Sequence, residues 1–195
     1  SMFRQIDMDE PDRFSVKLDD GGSVTNGITF MTSGYFQVGD HHSVNEDGKT
    51  FYAVAFAEDA GTVASGSYIA DTEAGTTIAG VGLQPEYVMV CGNGGQPHIH
   101  RPASLTGSGS LYFKNRPVTN NLITSLDSDG FTLGDNNSVY ENGVDYYWLA
   151  MANPRQEADL QASLDVDNPF PEVGETVALQ IDLENLGPQN ADDVE

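Results

Sequence analysis

The sequence predicts an all-β fold, an antiparallel β-sandwich of jelly-roll or lectin-like kind, and three observations carry that expectation. Apolar residues almost nowhere recur at helical spacing. Short alternating runs recur instead, and they end in Asp-Gly, Asn-Gly or Gly-Asp. Glycine supplies 21 of the 195 residues, a share that suits many tight turns.

Taken in chain order, the runs that read as strands are 13–18, 27–32, 51–57, 66–69, 87–91, 110–113, 121–125 and 146–151. Most hold β-branched or aromatic residues, and the segments between them carry Gly, Asp, Asn or Pro. In the 51–57 and 146–151 runs successive side chains would point to opposite faces. Tyr52, Val54 and Phe56 share one face, as do Tyr147, Leu149 and Met151.

An internal repeat is the most specific pattern in the chain. Residues 36–57 align without gaps on residues 131–152, at an offset of 95, with identity at Phe36/Phe131, Gly39/Gly134, Asp40/Asp135, Ser43/Ser138, Val44/Val139, Glu46/Glu141, Gly48/Gly143, Tyr52/Tyr147, Ala55/Ala150 and Ala57/Ala152. Upstream, residues 24–29 echo residues 118–124 with one insertion. A period this long is not that of a solenoid, so the chain reads as two copies of one β-module, or as one sandwich built from two related halves. The shared letters have a backbone rationale. Gly39-Asp40 and Gly134-Asp135 are expected to turn the chain through positive φ, and the Gly48 and Gly143 turns to lead into the next strand.

The expected boundaries are 1–65 for a first copy truncated at its start, 66–153 for the second, and 154–195 for a linker and a further segment. By the offset, the first copy should begin about thirty residues before Ser1. The Ser1-Met2 pair precedes neither a basic nor an apolar leader region and reads as an expression scar on an excised fragment.

The last segment carries Ala158-Asp159-Leu160, then residues 171–177, then Asn185-Leu186-Gly187-Pro188 with Asn190-Ala191. It resembles the opening of the Ig-like conserved-repeat domains of prokaryotic surface proteins. Two or three strands of such a domain cannot bury their inner face alone, so they are expected to pack on the preceding module, to pair with another chain, a homo-oligomer included, or to be completed by further sequence. Residues 66–152 resemble, more loosely, the β-rich modules of phage tail-fibre and virion proteins, on the strength of 80–90, Lys114-Asn115-Arg116, 128–134 and the Tyr146-Tyr147-Trp148 strand. That resemblance implies display or attachment and carries no activity with it.

Charge narrows the partners. Eight Lys+Arg stand against 30 Asp+Glu, a net charge of −22, so binding of nucleic acid or anionic membrane through a basic patch is not expected. The longest apolar run, 51–57, is far below the ~18 residues of a membrane helix, so membrane insertion is not expected either. Acidic residues dispersed among aromatic runs, with Lys only at 17, 49 and 114, point to a halophilic or marine source. Cys91 is the only cysteine, so no internal disulfide forms.

Candidate binding residues fall in three groups. The turn loops gather oxygen ligands suited to calcium at Asp40, Glu46 and Asp47 in one copy and Asp135 and Glu141 in the other. His98 and His100 share one face of an extended segment at a spacing that fits a transition metal, against the simpler reading of two exposed loop residues. His41-His42 reads as a loop tip.

Tyr146 and Trp148 also share a face. With Asn136 and Asn137 they form a candidate sugar platform, against the simpler reading that Trp148 is a core residue. Asn136-Asn137-Ser138 is in addition a glycosylation sequon.

No nucleophile elbow, phosphate loop or zinc-protease motif occurs, and no carboxylate pair is singled out for glycoside hydrolysis. The expectation is a non-enzymatic structural and adhesive module of a large extracellular, cell-surface or virion protein, meeting a cell-surface or glycan receptor. A carbohydrate-binding module is the second reading and a glycan-degrading enzyme fragment the third.

Overall fold

The computed structural model describes residues 2–4, 14–19, 21–32, 34–70, 75–153, 160–167 and 169–185. Arg13, Ala158-Asp159 and residues 186–191, on which parts of the strand and Ig-like expectations rest, lie outside them. The described elements are all β, and their pairing is antiparallel throughout.

Five short strands come first: β1 (Met2–Phe3), β2 (Phe14–Lys17), β3 (Ser23–Thr25), β4 (Ile28–Met31) and β5 (Phe36–Val38). They form a three-stranded sheet, β1-β2-β3, and a two-stranded ladder, β4-β5. The next nine are β6 (Val63–Ile69), β7 (Thr77–Ala79), β8 (Tyr87–Gly92), β9 (Ile99–Pro102), β10 (Gly109–Tyr112), β11 (Thr119–Asn120), β12 (Ile123–Asp127), β13 (Gly130–Leu133) and β14 (Asp145–Met151). Six of these make the main sheet, ordered β11-β10-β9-β8-β14-β6, and β12-β13-β7 make a smaller one.

The two sheets pack face to face. Val88, Val90 and Ile99 from the main sheet, with Tyr146, Trp148 and Ala150, bury against Leu122, Ile123, Phe131 and Leu133. Alternation turns Met89, Cys91, Tyr147 and Leu149 to the opposite face, where Val16 and Phe3 cover them. β14 is thus apolar on both faces because both are covered, which is why its sequence reads as a nearly continuous apolar run.

The hydrogen-bond pattern of the second copy recurs in the first. Ser15 lies opposite Val24 as Ser110 lies opposite Thr119, each pair separated by the same offset of 95. Ile28 pairs with Val38 and Ile123 with Leu133, each ladder with its irregularity two residues on. The Ser15 hydroxyl accepts the Ile28 N–H at 2.9 Å and the Ser110 hydroxyl accepts the Ile123 N–H at 3.0 Å. The order β3-β2-β1 therefore matches β11-β10-β9.

The correspondence stops at residue 50. The 51–57 run, expected as a strand, joins no ladder among the described residues, where it has no neighbouring strand to bond, whereas β14 lies between β6 and β8. Strands β1, β3, β5, β7, β9, β11 and β13 are additions to the expected set. β9 escaped because it holds Pro102 and two basic side chains.

Residues 1–152 form one compact unit and 153–195 another. The Val63–Ile69 strand belongs along its whole length to the main sheet. In the second unit, β15 (Leu160–Val166) pairs with β16 (Leu179–Asn185) over seven rungs. Leu164 stands opposite Ile181 and Val166 opposite Leu179, giving an apolar face on which Leu164, Leu179, Ile181 and Leu183 are exposed.

Candidate functional site

The loops after β5 and β13 hold the shared acidic and amide residues, and their geometry accounts for the shared letters. In the second copy the Gly134 N–H donates to the Leu122 carbonyl at 2.7 Å and the Asn136 N–H to the Asn121 carbonyl at 3.2 Å. In the first, Gly39 donates to Gly27 at 2.7 Å and His41 to Asn26 at 3.0 Å. Gly39 and Gly134 do not take positive φ, contrary to expectation. They are glycines because a Cβ there would strike the backbone of Asn26 and Asn121. Gly48 and Gly143 do take it, at 70° and 78°, in turns closed by Lys49 to Glu46 and Val144 to Glu141.

Where Asn136 stands in one copy, His41 stands in the other, and the two do the same work. Asn136 Oδ1 accepts the Ser138 N–H at 3.0 Å; His41 Nδ1 accepts the Ser43 N–H at 3.1 Å. The sequon is thus folded into a turn, with Ser138 buried.

Two tyrosines clamp the second loop. The Tyr68 hydroxyl donates to the Val139 carbonyl at 2.9 Å, and the Tyr146 hydroxyl donates to the Asn137 carbonyl at 2.9 Å while accepting the Glu141 N–H at 3.0 Å. Their rings stack with centroids 5.0 Å apart. Burial pushes the Tyr146 hydroxyl up to about 12, so it keeps the proton it donates. Phe51 occupies the Tyr146 position in the first copy and has no hydroxyl to offer.

The metal candidates do not converge. Asp40, Glu46, Asp47 and Asp135 are exposed, and Glu141 is half-buried. Among the described residues no three His, Cys, Asp or Glu side chains come together. His98 is not the exposed loop residue expected. It is buried, and its Nδ1 accepts the Gly92 N–H at 3.2 Å. His100 lies between the rings of Tyr87 and Phe113, where burial lowers its pKa. Cys91 faces the same layer, and burial pushes its thiol well up, which makes it a packing residue and not a reactive one.

Tyr146 and Trp148 are interior, with the Trp148 ring set edge-on to Phe131 at 5.6 Å. They present no open ring face for a sugar, so the core reading of Trp148 is the one its position fits. The Asn137 side chain is exposed without an aromatic platform beside it. Beside the Trp148 edge an open groove holds Glu58 and Asp59, but Glu58 Oε1 accepts both the backbone N–H and the hydroxyl of Ser65, and Asp59 Oδ2 accepts the Thr62 hydroxyl at 2.6 Å.

One structural residue has no sequence signature. The Arg101 guanidinium, buried in an acidic protein, donates to the carbonyls of Leu105, Gly107, Gly109 and Ile123, tying the β9–β10 connection to β12. Arg4 holds the matching place after β1 and is also buried.

The remaining distinctive surface is 50–57. Tyr52 is 94% exposed, and Val54, Phe56 and Phe51 are exposed with it. Comparison with protein families, curated proteins and solved structures finds no match.

Proposed function

We propose that the chain is a non-enzymatic structural and adhesive β-module, part of a large modular protein on a cell or virion surface in a saline habitat. The observation that carries this reading is how the duplicated residues are used. Asp and Asn loops, glycines and serines recurring at the 95-residue offset bond to backbone and form no reactive cluster, while apolar strand residues and acidic side chains are left on the outside. A surface charged at −22 keeps such a module hydrated where salt screens charge over only a few ångströms.

The test pairs a melting series in rising sodium chloride with retention of fluorescent protein on intact cells and on immobilised glycans. The reading expects stabilisation by salt, retention on cells and no turnover of any glycan. Loss of stability with salt, or release of sugar products, would overturn it.

A further inference from the structure

We propose that residues 50–57 form an acceptor strand that is completed by an antiparallel pair of apolar β-strands patterned like Val63–Ile69 and Tyr87–Gly92. This rests on reading the first half of the chain as a copy of the module.

Three observations converge. First, the equivalent strand in the second copy, β14, is bonded along both edges, to β6 from Asp145 to Met151 and to β8 from Tyr146 to Met151. Among the described residues, 51–57 has neither neighbour. Both ladders leave their donors and acceptors on offer to another strand.

Second, the surface that should lie under this strand is uncovered. Phe131 and Leu133 are 0% and 2% exposed, whereas their counterparts Phe36 and Val38 are 40% and 45% exposed. The same residue types that form the core of one copy stand in solvent in the other, so among the described residues the first copy lacks covering strands and not apolar side chains.

Third, the run is built for burial on both faces. Residues 50–57 carry no charge in a chain of net −22. Phe51, Ala53 and Ala55 take the places of Tyr146, Trp148 and Ala150 toward one layer. Tyr52, Val54 and Phe56 take those of Tyr147, Leu149 and Met151 toward the other.

The register follows from the second copy. A β8-like strand would set its glycine opposite Phe51 and its successive apolar residues opposite Tyr52, Ala53, Val54, Ala55 and Phe56. It would lie between 50–57 and β1, since β8 lies between β14 and β9 and β1 matches β9. Main-chain bonds supply affinity and alternate side chains supply register, the mode of β-strand addition.

The experiment titrates the full chain into a fluorescent peptide of residues 84–93 carrying Cys91→Ser, read by anisotropy, with a scrambled peptide as control. Saturable binding is expected for the native order alone. Val54→Pro, which removes a backbone donor facing that strand, as Leu149 faces Met89, in a run that makes no ladder bonds of its own, should weaken it at least tenfold with an unchanged melting temperature. Absence of binding, or equal binding by Val54→Pro, would overturn the proposal. So would sedimentation showing that the chain alone dimerises and that Val54→Lys makes it monomeric, because the occupant would then be a second copy of the same strand. Cell retention is read separately, so a failure here is distinguishable from a failure of the surface-module reading.

Discussion

Asn26 and Asn121 stand 95 positions apart and hold the same left-handed backbone conformation, with φ of 56° and 61°. Each offers its carbonyl to the residue two past the conserved glycine, and each has that glycine packed against its own backbone. Asparagine tolerates this conformation better than most residues, which reconciles the strain with its recurrence.

Replacing Gly134 by Ala should therefore cost about 1–3 kcal/mol, the usual range for overpacking against a surface that cannot yield. Gly39→Ala should lower the melting temperature less, because the surrounding first-copy strands bury less. Differential scanning calorimetry on the two variants checks the order.

Ser110 both donates to the Ile123 carbonyl at 2.8 Å and accepts its N–H, in a fully buried setting. Ser110→Ala strands the Ile123 N–H and leaves its carbonyl only the Arg101 guanidinium at 3.4 Å, and is expected to destabilise by about 1–3 kcal/mol. Urea titration would measure it, and an unchanged midpoint would show that the pair is satisfied in another way.

Trp148 lies against Gly66 across the β14–β6 ladder, where a Cβ would meet the indole. Its emission should be blue-shifted and indifferent to added oligosaccharide. Trp148→Ala is expected to cost about 3–5 kcal/mol. A red emission maximum quenched by sugar would contradict the interior placement.

Acid should weaken the fold before its carboxylates titrate. His100 sits among aromatic rings with its pKa lowered from 6.5 by burial, so the unfolded chain binds this proton more readily than the folded one. Stability is then full above about 6.5 and falls as pH drops below it. His100→Phe should flatten that part of a melting-temperature profile taken from pH 7.5 to 5.5. An unaltered profile would assign the loss to other groups.

The all-β class and most long strands were legible because alternation and turn residues report burial directly, as in 146–151. What the sequence concealed depends on contacts between distant segments. Gly39 and Gly134 read as turn glycines, but their reason is a neighbour thirteen positions upstream. His98 read as exposed because a lone histidine beside Gly and Pro gives no hint of the amide it accepts from. The similarity of Ser15 to Ser110 is invisible in letters alone, since a single shared serine means little until its hydroxyl is seen bridging strands. Of the candidate site residues, Asn136 and Tyr146 have side chains that bond to the loop backbone. The 51–57 run alternated like a strand, and alternation cannot reveal whether a neighbour is present.

The packing of Trp148 on Gly66 has a consequence for how such modules are matched. Ala53 holds the tryptophan's position in the first copy, so a Val63–Ile69-like strand completing residues 50–57 would need a bulkier residue where Gly66 stands, because glycine opposite Ala53 would leave a void. On the proposed pairing each copy would then favour a different neighbour, selected by side-chain size.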